Sequence, residues 1–184
     1  MSSDVFIISA AHDRSASAAI QQALRLAGIS PSHVQDAVFG LDAPSALSDA
    51  QPLVQSAGLA CPAACVYTSL RAIFFAAASM LSDDAQLSVV AGLDSGPGTA
   101  FVLGSPEAVG RMNLLPRARI AARSLTGAEP ALRAAEITSA DIEISKEGEL
   151  AAPSLYDLLE ELDAKPARWG MLAVGEALIL IERV

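Results

Sequence analysis

The side chains that could carry covalent or acid–base chemistry are few: the thiols Cys61 and Cys65, the imidazoles His12 and His33, and hydroxyls such as Ser9 and Ser69. A cysteine nucleophile needs a base within hydrogen-bond reach and a donor for the oxyanion. The competing reading of Cys65 is a small buried thiol packed in a strand, and Cys61 reads as packing. Four residues of strand span about 13 Å, too far for a disulfide between the two. Two cysteines make no disulfide framework either. His12, in the polar stretch His12-Asp13-Arg14, and His33 are expected as exposed loop or capping residues. Ser9 and Ser69 have no His/Asp partner nearby in sequence, so a serine triad has no support. Glu143, Glu147, Glu149, Glu160, Glu161 and Asp163 lack neighbouring His or Cys and make poor transition-metal ligands. They are expected on solvated loop and helix faces, and no metal is expected. Gly92, Gly96, Gly98 and Gly104 form no phosphate loop, because no Gly-Lys-Ser/Thr follows them.

The elements that must position these residues follow from hydrophobic patterning. Residues 4–10 form an unbroken apolar run with β-branched members, a strand buried on both faces. Ala16, Ala19, Ile20, Ala23, Leu24 and Ala27 repeat at helical spacing, with Gly28 placed as a C-cap. Asp36–Leu41 reads as a second strand and 46–57 as a weak helix interrupted by Pro52. Residues 59–66 form a third strand whose Pro62 argues for an edge or a bulge. Thr68–Leu81 is a helix apolar nearly all round, which implies burial. Strands 86–93 and 99–104 flank a turn at Asp94–Gly98. Ser105 and Pro106 then start a short helix as N-cap and N1. Further on come strand 118–124, helix 129–137, strand 141–144, a surface turn at 146–149 and helix 154–162. Strands 167–174 and 176–184 end the chain. The first hundred residues therefore read β-α-β-α-β-α-β-β, and both halves end in a helix followed by two adjacent strands. A duplicated α/β unit with a trimmed second copy is expected, as one domain over 1–184 with halves at about 1–105 and 106–184.

Composition narrows the classes. Of 184 residues 52% are hydrophobic and 18% charged, with mean hydropathy +0.41, the opposite of a disordered balance. Much of the apolar content is alanine and only 4% is aromatic, which suits closely packed helices. So little charge leaves an apolar patch to expect, used for self-association or a partner. Twelve Lys plus Arg against 21 Asp plus Glu give a net charge of −9. No cationic cluster is present to bind phosphate backbones, so no nucleic acid is expected as partner. The Met1-Ser2-Ser3-Asp4 start lacks a positive n-region. The longest apolar run, Ala72–Leu81, is about half of what a bilayer requires. A reducing cytoplasm and no membrane association are expected.

Several motifs in this order resemble the thiolase superfamily. Phe6-Ile-Ile-Ser-Ala-Ala11 is similar to the family's first strand, although His12-Asp13-Arg14 replaces the usual Arg-Thr-Pro. Leu70-Arg-Ala-Ile73 followed by Asp84–Ser95 resembles the nucleophile helix and the strand after it. Thr99–Ser105 with Leu114–Ile120 resembles the fifth strand and the entry to the second half. Ala167-Arg-Trp-Gly170 and Leu180–Val184 resemble the end of a thiolase. The likeness covers most of the chain and implies a thiolase-like βαβαβαββ architecture, duplicated, with layered sheets around a buried central helix.

The same resemblance implies a nucleophilic cysteine at the N-terminus of that helix, where the dipole depresses its pKa. The family pattern places it four residues before Leu70, at Val66, and Cys65 lies one residue further away. A one-residue shift on a strand reverses side-chain direction, so Cys65 is expected to face away unless a bulge turns it back. The Gly-His-Pro and Cys-Ile-Gly loops of the family's second half have no counterpart, since no His or Cys follows Asp141. The long loop domain that covers the active site and helps hold coenzyme A is replaced by Asp94–Gly98, so no lid domain is expected. Two readings follow. One is a minimal, non-catalytic thiolase-like protein in acyl-CoA or acyl-thioester metabolism, a homodimer or the partner of a condensing enzyme through Leu59–Leu81. The other is an acyltransferase or thioesterase using Cys65, with a coenzyme A thioester as substrate and no resident cofactor.

Overall fold

A computed structural model describes residues 4–41, 50–82, 85–93, 97–148 and 151–184. The strands are β1 (Val5–Asp13), β2 (Asp36–Leu41), β3 (Ala63–Tyr67), β4 (Leu87–Leu93), β5 (Gly98–Gly104), β6 (Ala118–Ser124), β7 (Ile144–Glu147), β8 (Trp169–Val174) and β9 (Ala177–Arg183). The helices are α1 (Ala16–Ala27), α2 (Ala50–Ser56), α3 (Ser69–Leu81), α4 (Pro106–Met112), α5 (Ala128–Ala134) and α6 (Ala151–Ala164). Several boundaries lie where local chemistry puts them. Ser15 caps α1, its side chain accepting from the Ala18 amide, and Gly28 ends it at φ 66°. Ser105 caps α4 in the same way, with Pro106 in its first turn.

All nine strands form one mixed sheet, ordered β3-β2-β4-β5-β1-β6-β9-β8-β7. β3, β2 and β4 run parallel, and β5 is antiparallel to both β4 and β1. An antiparallel seam joins β1 to β6. β9 is antiparallel to β6 and β8, and β7 runs parallel to β8. The expected layered sheets are thus corrected to one continuous sheet, because β1 and β6 pair directly at Val5–Ile7. α1, α2 and α4 pack on one face and α3 and α6 on the other, while α5 covers a small separate cluster against β6 and β9. α6 reaches across the seam: it touches β7 and β8 and also β1, β4 and β5.

Other expectations shift. β1 runs through His12 and Asp13, because Thr99 and Gly98 of β5 continue the ladder beside them. The expected strand at 141–144 begins only at Ile144, since Ser139–Asp141 is a single 3-10 turn, and Lys146 and Glu147 belong to β7. α6 starts at Ala151 rather than Ser154, with Pro153 tolerated in the first turn, where its missing N–H bonds nothing. Residues 46–49 of the weak helix, most of the turn at 94–98, and Glu149 lie outside the described residues. β3 is an edge strand, as Pro62 suggested. Helix α3, expected to be covered all round, buries Leu70, Ala72, Ile73, Ala76, Ala77 and Met80 but leaves Arg71, Phe75, Ala78 and Leu81 exposed. One sheet and one neighbouring helix, α6, cover only part of its circumference. Among the described residues no helix is long and apolar enough to cross a membrane.

Two predictions follow from this packing. Glu182 of β9 receives Arg119 of β6 and Arg168, the residue just before β8. Burial pushes its carboxyl up, but hydrogen bonds from both arginines outweigh this and hold it below the usual range. A depressed folded pKa gives stability that is present above the unfolded value near 4.3 and lost as pH falls through the folded one. Glu182→Gln should therefore lower stability by about 2 kcal/mol at pH 7, with the difference shrinking toward pH 3 in urea titrations. Gly110, on the exposed side of α4, has open space around a Cβ. Gly110→Ala should raise stability by about 0.5–1 kcal/mol in the same assay, and a loss would contradict the helical assignment there.

Candidate functional site

Five residues in strict register cross the first half of the sheet near the carboxyl ends of its parallel strands: Val66, Gly40, Gly92, Thr99 and His12, on β3, β2, β4, β5 and β1. Directly paired residues project from one face, here the face that carries α3 and α6. The two glycines make room for the start of α3. A Cβ on Gly40 would lie 2.3 Å from Ser69 Cα, and one on Gly92 would lie 2.9 Å from both Ser69 Oγ and Ala152 Cβ. The first turns of α3 and α6 therefore converge on Gly92. Such ends of open sheets, next to helix N-termini, are where α/β folds hold ligands.

The turn into α3 is strained. Thr68 sits at φ 64°, ψ 143°, a conformation that non-glycine residues seldom adopt. Three bonds hold it: its amide donates to Leu41 O at 2.9 Å, its carbonyl accepts from the Ala72 amide at 3.2 Å, and its hydroxyl accepts from the Arg71 amide at 3.4 Å. Ser69 is fully buried, and its Oγ makes no hydrogen bond. At the other end of the row His12 Nδ1 and Thr99 Oγ1 are 2.8 Å apart, and the His12 ring stands 5.9 Å from that of Tyr156 on α6. His12 is exposed, as expected, but it belongs to a strand rather than a loop.

The row contains no cysteine. Cys65 packs with Ala63 against the α1/α2 side, while its neighbours Ala64 and Val66 pack on the α3 side. The reversal of direction argued from spacing is what the pairing gives, since β2 and β3 run in unbroken register without a bulge. Neither thiol is in a disulfide, and Cys61 is buried. Burial pushes the Cys61 thiol up, and the nearby charge of Asp36 adds to the effect. His33 lies exposed in the 3-10 turn Pro31–His33. Ser9 Oγ is spent on Ala23 O at 2.7 Å.

The carboxylates are engaged elsewhere. Glu160 and Asp163 hold Arg117, Glu161 holds Lys146 and Lys165, and Glu143 accepts from the Trp169 amide at 2.9 Å. Among the described residues no three His, Cys, Asp or Glu gather as a metal set. Chemically the row offers the positive end of α3, one orphan hydroxyl, and an imidazole already bonded to a threonine. It offers no nucleophile joined to a base. The reading from sequence missed Thr99, Tyr156 and the convergence on Gly92, although glycines inside two strands were a usable sign of close backbone approach.

Scanned against protein-family models the chain matches none, and a search of curated proteins returns no match.

Two measurements test this geometry. Cys61 should alkylate with iodoacetamide along a pH–rate curve whose midpoint lies above the roughly 8.5 of free cysteine. Cys65, directed away from the dipole of α3, should show no thiolate-driven reaction at pH 7, and a rapid one would place it on the other face. Gly40→Ala, whose Cβ meets backbone rather than a yielding side chain, should cost about 3 kcal/mol in chemical denaturation. Wild-type stability in that variant would refute the packing.

Proposed function

We propose that this chain is a minimal, non-catalytic thiolase-like protein that works by binding a partner in acyl-CoA or acyl-thioester metabolism, in a reducing compartment. The fold reading draws support from strand order. Outward from the seam the first half runs β1, β5, β4, β2, β3, and the second runs β6, β9, β8, β7. The second series repeats the first, without a counterpart of β3. On this reading 1–105 and 106–184 are copies of one unit in a single domain, and the second copy has lost its outer strand. Only four residues separate β4 from β5, which leaves no room for a lid.

The observation that carries the non-catalytic reading is the direction of Cys65. Its side chain lies on the α1/α2 side of β3, while Val66, the position to which the resemblance would assign the nucleophile, packs on the α3 side. A thioester would meet an aliphatic side chain there, and the described residues of the row supply no base joined to a nucleophile. Exposed apolar side chains at Tyr67, Phe75 and Leu81, beside the open edge of β3, favour binding as the retained role.

Incubation with acetyl-CoA and longer acyl-CoAs, followed by intact mass, should show no covalent acyl adduct. An adduct that disappears in Cys65→Ser would replace this reading with that of an acyltransferase or thioesterase acting through Cys65.

A further inference from the structure

Two surface hollows meet where the end of α1, the connection from α4 to β6, and α6 come together beside β1. One, of about 390 Å³, is bounded by Arg25, Gly28 and Met112. The other, of about 400 Å³, is bounded by Arg117, Glu160 and Asp163. Ile8, Leu26 and Leu115 line both and form the saddle between them. Leu115 is 87% exposed, the highest value among the large apolar side chains described, and Leu26 is 63% exposed. Pro116 follows Leu115 and restricts its backbone to extended conformations, so a stiff segment presents this leucine. The two sides of the saddle differ in sign. Arg25 is exposed, and its guanidinium donates only to Gln22 Oε1 of its own helix, at 3.3 Å. Across the saddle two carboxylates share one guanidinium: Glu160 lies 2.9 Å from Arg117 Nη2, and Asp163 pairs with the same nitrogen. One negative charge is left over, and the carboxylates are 52% and 47% exposed.

We propose that a second copy of this chain docks on the saddle about a two-fold axis. Leu26 and Leu115 of one copy then meet those of the other, and Arg25 of each meets Glu160 and Asp163 of the other. A two-fold contact places a patch against itself after half a turn. A basic side and an acidic side at opposite ends of an apolar centre therefore fall on each other twice. A foreign partner of one sign would satisfy one side and be repelled by the other. Leucines exposed singly need no partner, but these two stand together between hollows that side chains of a facing copy can fill. The leucines supply apolar area, and the charges fix the orientation. The saddle lies beside β1, separated from β3 by β2, β4 and β5. This contact therefore goes beyond the partner-binding reading above and leaves the β3 edge open.

Light scattering of the full chain across micromolar concentrations should find a dimer that added salt loosens. Leu115→Ser, Arg25→Glu and Glu160→Arg should each weaken it at least about tenfold. An equimolar mixture of the Arg25→Glu and Glu160→Arg chains should recover the dimer, because each copy then brings the sign that the other lacks. Leu115 and Arg25 are exposed, so their variants decide the matter even if Glu160→Arg folds poorly. A monomer at every concentration, or a dimer indifferent to Leu115→Ser or Arg25→Glu, would overturn the proposal. So would a mixture of folded variants that stays monomeric, or open-ended growth, which a head-to-tail contact gives. Dissociation by Phe75→Ser in place of Leu115→Ser would assign the dimer to α3 and overturn it as well. Acylation of Cys65 in the mass experiment would remove the non-catalytic reading and leave this result standing, so the two fail separately.

Discussion

The first turn of α3 lies directly against the backbone of β2, and much of the molecule follows from that contact. Any side chain at Gly40 would collide with Ser69 Cα and the carbonyl carbon of Thr68. Gly92, one strand over in the same register, admits Ser69 Oγ and Ala152 Cβ together. Because α3 starts so close, it can bury Ala72, Ala76 and Ala77 completely. Close packing of this kind makes small side chains effective, since dispersion depends on contact and not on side-chain size alone. The alanine-rich, aromatic-poor composition is therefore the material counterpart of two helices laid tightly on one sheet.

The contact carries local costs, and they collect at one place. Thr68 is held in a disfavoured backbone region, worth about 1–3 kcal/mol. Ser69 buries a hydroxyl without a partner, a further penalty of about 1–3 kcal/mol. Both sit at the junction of β3 and α3, where a parallel sheet and a helix dipole would favour a ligand or a reaction. The core beneath does not require either cost, and a glycine and an alanine would avoid them. Around the junction, the imidazole of His12 is spent on Thr99 and the thiol of Cys65 is turned away. The described side chains nearest the junction are thus engaged with one another or directed to the other face of the sheet.

Much of the architecture was legible in the sequence because its signals are local. The run Val5–Ala11, the helical spacing from Ala16, the caps Ser15, Gly28 and Ser105, and the edge position implied by Pro62 all depend on neighbours within a turn or a strand. Pairing across the sheet was less accessible. His12 reads as loop because it is polar and borders Asp13 and Arg14, yet the ladder with Thr99 extends β1 through it. The seam of β1 with β6 joins residues more than a hundred positions apart and turns the expected separate sheets into one. Cys65 is the instructive intermediate case. Its direction follows from a two-residue period counted back from Leu70, and that count survives because β2 and β3 pair without a bulge.

The open face of α3 follows from the same seam. With β1 joined to β6, α6 covers Gly92 and part of α3, and Arg71 and Phe75 stay exposed. Ala72, Ala76 and Ala77 are buried together with Leu70, Ile73 and Met80, while Phe75 and Ala78 stay exposed. Direction around the helix, and not side-chain volume, decides which residues of α3 are covered. The charge pattern is not forced in this way. An arginine at the rim of an apolar face is neutral for folding when it can reach water, and Arg71 can. Arg123 does so only in part: among the described residues its Nη1 is buried without a hydrogen bond, and its guanidinium carbon lies 5.9 Å from the centre of the Phe74 ring. A cation–π contact returns about 0.5–2 kcal/mol, so the ring offsets part of the cost of burying that cation.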